Sequence, residues 1–286
     1  MQFLKKQKHR NRAFTPVFAA MILSLLCACG DMQSTQSGND QQVLSPQITT
    51  TAADVDIGSK GAAVIDLGKE TSICRITDPG KHILTGSLKG RIEIHAEDQV
   101  IHLILAGVDV DAPDGPALVV RSAGKVILTL QAGTQNTLRD APGYAQGEQA
   151  DACIYSECDL TINGTGTLKV SGYHKDAIHS KDVLKLLGGD VYAQSKRDGI
   201  RGNDGIVIHC RKLAVESERN GLYSTKTGKP AKGNIEVLGG DLSIIGGRYA
   251  ICCAADLIVT DCQLHTIGVV SKYQVAGRTF FGTGGA

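Results

Sequence analysis

The chain has no tryptophan among its 286 residues, only 4% aromatic residues and seven prolines. So little aromatic surface argues against a compact core built on large rings, and against a tryptophan platform of the kind that grips crystalline cellulose. Charge of either sign is not in excess: 30 Lys+Arg stand against 29 Asp+Glu. No global field therefore draws in nucleic acid or an anionic membrane, and charge recognition must be local. Phosphate-loop, nucleophile-elbow and H-E-x-x-H patterns are missing as well, as is any C-x-x-C. What is abundant is glycine, with 34 residues.

Residues 1–29 read as an export leader. A basic stretch (Lys5, Lys6, Lys8, Arg10, Arg12) precedes an apolar run from Ala13 to Leu26, too short to span a bilayer. Leu26-Cys27-Ala28-Cys29-Gly30 resembles a bacterial lipobox, which implies cleavage before Cys29, lipidation of that cysteine, and anchoring in the bilayer on the extracellular face of a bacterial membrane. The competing expectation is ordinary cleavage without a lipid. Polar residues 30–56 are expected to form a flexible tether. Seven further cysteines follow, an odd number whose spacing fits no small disulfide framework, so buried free thiols are expected.

Internal repetition decides the fold. Asp176-Ala-Ile178 is followed 22 residues later by Asp198-Gly-Ile200 and 22 later again by Asn220-Gly-Leu222; after an insertion near 225–231 the pattern returns at Tyr249-Ala-Ile251. Apolar columns hold at several phases: Leu184, Ile206, Ile235 and Leu257; Leu186, Ile208, Val237 and Val259; Val191, Leu213, Leu242 and Leu264. Within each copy apolar residues alternate, as strands require, and Gly188-Gly189 and Gly239-Gly240 mark turns. Short strands turned by glycine at a fixed period describe an all-β, single-stranded parallel β-helix over residues 57–270, with coils about 4.8 Å apart. Segments 91–95, 100–105, 117–120 and 125–130 supply earlier coils, and residues 271–286 a tail. A leucine-rich horseshoe is the rival, but no helical half-repeat appears.

The ordered motifs Gly107-Val-Asp109-Val, Asp114-Gly-Pro-Ala117, Gly133-Thr-x-Asn-Thr-Leu138, Asp159-Leu-Thr-Ile-Asn-Gly-Thr-Gly-Thr-Leu168 and Asp176-Ala-Ile-His-Ser-Lys-Asp182 resemble the bacterial carbohydrate-binding domain-containing family of β-helical lipoproteins. The resemblance covers roughly residues 57–267. It implies binding of extracellular polysaccharide, cellulose or an acidic polygalacturonate-like chain, on a pectate-lyase-like scaffold with calcium in the fold. The family repeat carries paired acidic residues where this chain keeps one of two, as at Asp182-Val183 and Asp204-Gly205.

The period also stacks chemistry. Asp176, Asp198 and Asn220 form one file, Asp182 and Asp204 another, with Asp159 one coil earlier. Carboxylates about 5 Å apart need solvent, partners or a cation, so calcium is one reading for Asp159, Asp176, Asp182, Asp198 and Asp204. Satisfaction of turn amides is the other. Lys175, Arg197, Arg219 and Arg248 stand one residue before the first file, where they can grip the carboxylates of an acidic glycan or simply balance the aspartates. Lys181, Arg201 and Tyr223 join the sugar-binding candidates. Calcium with a basic residue is also the equipment of a uronate lyase, so an enzyme, or a purely structural surface protein, stays open.

Overall fold

The protein was analysed as a computed structural model. The structure describes residues 48–228 and 232–271, together with the backbone of 273–276 and 280–284; the leader and Cys29 lie outside the described residues. It is a parallel β-helix, every strand pairing among the described residues being parallel. Each coil passes over three faces. Face I holds Ile73–Ile76, the start of Arg91–Asp111, the start of Leu118–Leu130, Ala152–Ser156, Asp176–Ser180, Asp198–Gly202, Asn220–Tyr223 and the end of Asn234–Cys252.

The expected columns are the inward rows. On face I Cys74, Ile92, Leu118, Ile154, Ile178, Ile200, Leu222 and Ile251 lie directly over one another. On face II Leu160, Leu184, Ile206, Ile235 and Leu257 do the same, and on face III Leu168, Val191, Leu213, Leu242 and Leu264. All are essentially sealed from solvent. A lone coil cannot hide such a row, whereas stacking makes it continuous, and each inward Leu, Ile or Val contributes about 1.5–3 kcal/mol of burial.

Glycine closes the corner at Gly164, where φ is +93° and an added Cβ would lie 2.3 Å from the carbonyl oxygen of Leu130 in the coil below. The seven cysteines of the body are free thiols, five of them buried, as the sequence predicts. Burial pushes the Cys210 thiol up to about 12.

Two boundaries differ from expectation. Strands Tyr273–Ala276 and Phe280–Gly284 pair with Leu257–Thr260 and Cys262–Val270, so coiling continues beyond residue 270. At the other end, residues 48–56 do not behave as tether. A short helix, Ala52–Val55, lies against face II and buries Asp54 completely. That carboxylate accepts bonds from Lys185 (2.8 Å), Lys125 (2.9 Å) and Thr161 (2.6 Å) of the coils. Asn163 donates to the Asp54 and Asp56 carbonyls, and the Ile48 amide donates to Glu236. A polar composition suggests a free linker, but here the polar groups find their partners on the outer surface of the helix.

Candidate functional site on face I

Because Ile154, Ile178, Ile200 and Leu222 point inward, their strand neighbours form an outward row: Tyr155, His179, Arg201 and Tyr223, one per coil. Beside that row stands the first acidic file. Asp176 and Asp198 are fully buried. Arg197 clasps Asp176 with two bonds, 2.6 and 2.7 Å, and also bonds Asp151. The amide of Asp198 donates to Asp176, and Asn220 donates to Asp198 at 2.7 Å. Burial, then the charge of Asp176, pushes the Asp198 carboxyl up, against the pull of Arg219 and Arg197.

Asp151 also accepts from His179 Nδ1 at 2.6 Å, while the other ring nitrogen faces Asn203 Oδ1 at 3.3 Å. Burial would raise the Asp151 carboxyl, but His179 and Arg197 together hold it well below the usual carboxylate range. Among the described residues, Asp151, Asp176 and His179 are the group of three ligating side chains with donor atoms within 4.8 Å of one another. The Arg197 guanidinium already bonds both carboxylates, so a cation occupies the position a metal would take.

The second acidic file is likewise neutralised by protein. Asp159 accepts the Val183 amide at 3.1 Å, the turn role that aspartate commonly plays. Lys226 lies 2.8 Å from Asp204 and 3.8 Å from Asp182, and Lys232 also bonds Asp204. Those two lysines overcome burial and lower the Asp204 carboxyl, whereas burial and the neighbouring aspartates raise that of Asp182. Calcium requires six to eight oxygens, and two ammonium groups stand where they would gather. As arranged, neither acidic file fits the ion.

The seven sugar-binding candidates divide. Arg197 is committed to Asp176 and Asp151, and Lys181 to Glu157 at 2.8 Å. Lys175 is half-buried at the same corner, its carbonyl accepting the Arg197 amide. Arg201, Arg219, Arg248 and Tyr223 are gathered with Tyr249 in neighbouring coils. The guanidinium carbons of Arg201 and Arg219 each lie 5.7 Å from the Tyr223 ring centre, and Arg248 lies 5.2 Å from Tyr249. Arg219 is 44% exposed and, among the described residues, its carboxylate neighbour is Asp198 at 3.8 Å. Arg201 also donates from Nε to Asn203 at 2.9 Å and lies 3.7 Å from Asp151, whereas Arg219 and Arg248, exposed and held over rings, are oriented to fork onto a carboxylate.

Sequence reasoning missed the segment between Arg139 and Ala152. It carries Asp140, Tyr144, Glu148 and Asp151 to face I. Tyr144 stacks on His174 with ring centres 4.1 Å apart, and its hydroxyl donates to buried Asp140 at 2.7 Å. Glu148 takes both Arg121 nitrogens at 2.8 and 2.6 Å. An insertion has no period, so no column exposed it.

Fold and surface together define a parallel β-helical protein with charged and aromatic side chains along one outer face. The model of the "Carbohydrate-binding domain-containing protein" family matches residues 70–277, and the chain belongs to that family. A curated protein of that description from Acetivibrio thermocellus is 32% identical over 177 residues, 59% of this chain; the chain spans about 62% of the length of that relative. Similarity extends to a solved structure, the polysaccharide lyase-like protein from C. thermocellum in a gadolinium derivative, at TM-score 0.68 and 25% identity, covering 77% of this chain and 95% of the other.

Proposed function

We propose that the protein binds acidic polysaccharide, polygalacturonate-like, along the C-terminal half of face I, held to the extracellular face of a bacterial membrane by lipid on Cys29. The observation that carries this reading is the pair of exposed guanidiniums, Arg219 and Arg248, seated on the Tyr223 and Tyr249 rings of neighbouring coils, with Arg201 over the same Tyr223 ring. Coils rise about 4.8 Å each, close to the repeat of a sugar chain, so weak contacts recur along a polymer and add by effective concentration. The small aromatic area favours this charged mode over flat stacking on cellulose. Calcium is not needed for the contact, because lysine and arginine already neutralise both acidic files.

Affinity electrophoresis in polygalacturonate and hydroxyethylcellulose gels tests the proposal. Retardation in the acidic gel, unchanged by a chelator and lost in Arg219→Ala/Arg248→Ala, is the expected result; equal mobility in all gels refutes it. The lyase-like description of the structural neighbour supports a second reading, β-elimination on uronate chains. Ultraviolet absorbance of unsaturated uronates released from polygalacturonate decides it. Incorporation of labelled fatty acid, abolished by Cys29→Ala, tests the anchor.

A further inference from the structure

The segment over face II is held in an unusual way for a packed strap. Two of its large apolar side chains, Val55 and Ile57, are 58% and 56% exposed and contribute little burial, while Ile48 is half-buried. Many polar contacts tie it to the coils. Asp54 receives five donors, namely Lys185, Lys125 and Thr161 from the coils and the Thr51 amide and hydroxyl from its own turn. Lys185 additionally donates to the Thr49 carbonyl at 2.7 Å, and Lys81 pairs with Asp56 at 2.8 Å.

A buried ion pair is a poor adhesive, because desolvation offsets most of its Coulomb gain. Lys185, only 4% exposed, belongs to the outward row of face II, in register with Thr161 and Val207. Were the strap lifted, Lys185, Lys125 and Thr161 would lose the carboxylate they share and Asn163 its two carbonyl partners, on an outward row that also carries buried Ile127 and Val207, while the inward rows stay packed. Two ammonium groups and a hydroxyl surround the place of one carboxylate, with the Asn163 amide beside it, aimed at the backbone carbonyls of Asp54 and Asp56.

We propose that this cluster is a second carboxylate-binding site, filled in cis by Asp54 and open to a uronate carboxylate of an acidic glycan when residues 48–56 lift. The ligand class rests on the reading given for face I, but the residues do not overlap. A uronate presents the same two oxygens as Asp54, and its ring hydroxyls can accept from Asn163 as the Asp54 and Asp56 carbonyls do. A free sugar acid competes poorly with a tethered aspartate, whereas a polymer already held on face I competes at high local concentration. The strap thus makes face II respond to polymer rather than to monomer.

The test uses the full chain in polygalacturonate gels. A strap closed nine-tenths of the time hides its site about tenfold, so Asp54→Ala should strengthen retardation by about that factor. Adding Lys185→Met should cancel the gain. Asp241→Ala, which makes the same charge change at an exposed position of face III, should not reproduce it. In the Arg219→Ala/Arg248→Ala background the gain should persist, which separates failure of this site from failure of face I. Limited proteolysis of the unmutated chain needs no variant to fold: cleavage within residues 48–57 should rise several-fold with polygalacturonate and not with hydroxyethylcellulose. Equal retardation of Asp54→Ala and Asp241→Ala, or cleavage unmoved at saturating polymer, overturns the proposal. So does concentration-dependent dimerisation of Asp54→Ala without any gain in polymer binding, which would assign the groove to the strap of a second copy.

Discussion

Arg197 and Arg219 stand one above the other in a single file and are expected to fail in different ways. Replacing Arg197 by alanine removes both bonds to Asp176, a fully buried carboxylate, and one to Asp151. Removing one partner of a buried pair costs about 3–5 kcal/mol, because a charge is left without compensation. For a body of this size each kcal/mol lowers Tm by about 2–4 °C, so a loss of about 10 °C is expected in circular-dichroism melts. Arg197→Met/Asp176→Asn, which takes away both charges and leaves an oxygen for the Asp198 amide, should recover at least half of that loss. Arg219→Ala/Arg248→Ala removes exposed side chains and should melt within about 2 °C of the parent while losing retardation in polygalacturonate gels. The reasoning is refuted if Arg197→Ala melts like the parent yet abolishes retardation as completely as the pair.

Asp140 should give the body a pH dependence opposite to that of its ion-paired carboxylates. Burial holds its carboxyl up at about 6 against an ordinary 3.8, despite bonds from Tyr144 and the Tyr173 amide. The raised value means that this contribution to stability is full below pH 3.8 and is lost as pH rises through 6, by about 3 kcal/mol. Melts between pH 4 and pH 7 should show that slope flattened in Asp140→Asn. At the second acidic file, a chelator should leave the Tm of the parent unchanged, whereas Lys226→Met/Lys232→Met should lose about 1 kcal/mol at neutral pH and regain it with millimolar calcium. A parent that is itself stabilised by calcium would show that the lysines do not fill the cation's role.

The coil architecture was legible because burial acts on every copy alike: a residue facing inward at Ile178 must face inward again at Ile200 and Leu222, and the sequence records that pressure three times. The charged files were legible in position but not in assignment. Lys175, Arg197, Arg219 and Arg248 share a phase, yet their partners differ, since Asp151 reaches Arg197 from an insertion and Asn220 replaces an aspartate beside Arg219. The spacing of Arg197 from Asp176 was the available signal that the cation of one coil serves the acid of the coil below. Asp54 left no such trace. It lies in a stretch without period, and its partners, Lys125, Thr161 and Lys185, are drawn together only by the winding of three separate coils.

The thiols of the body carry a consequence for how the protein is made and handled. With Cys74, Cys153, Cys158, Cys210 and Cys262 shut inside the stack and no cystine linking any of them, folding requires neither an oxidant nor an isomerase. Reducing agents should be harmless to the finished molecule. Alkylation of the native body should stop at Cys252 and Cys253, and the remaining five should become reactive only as coils come apart, so that iodoacetamide uptake counts unwinding coil by coil.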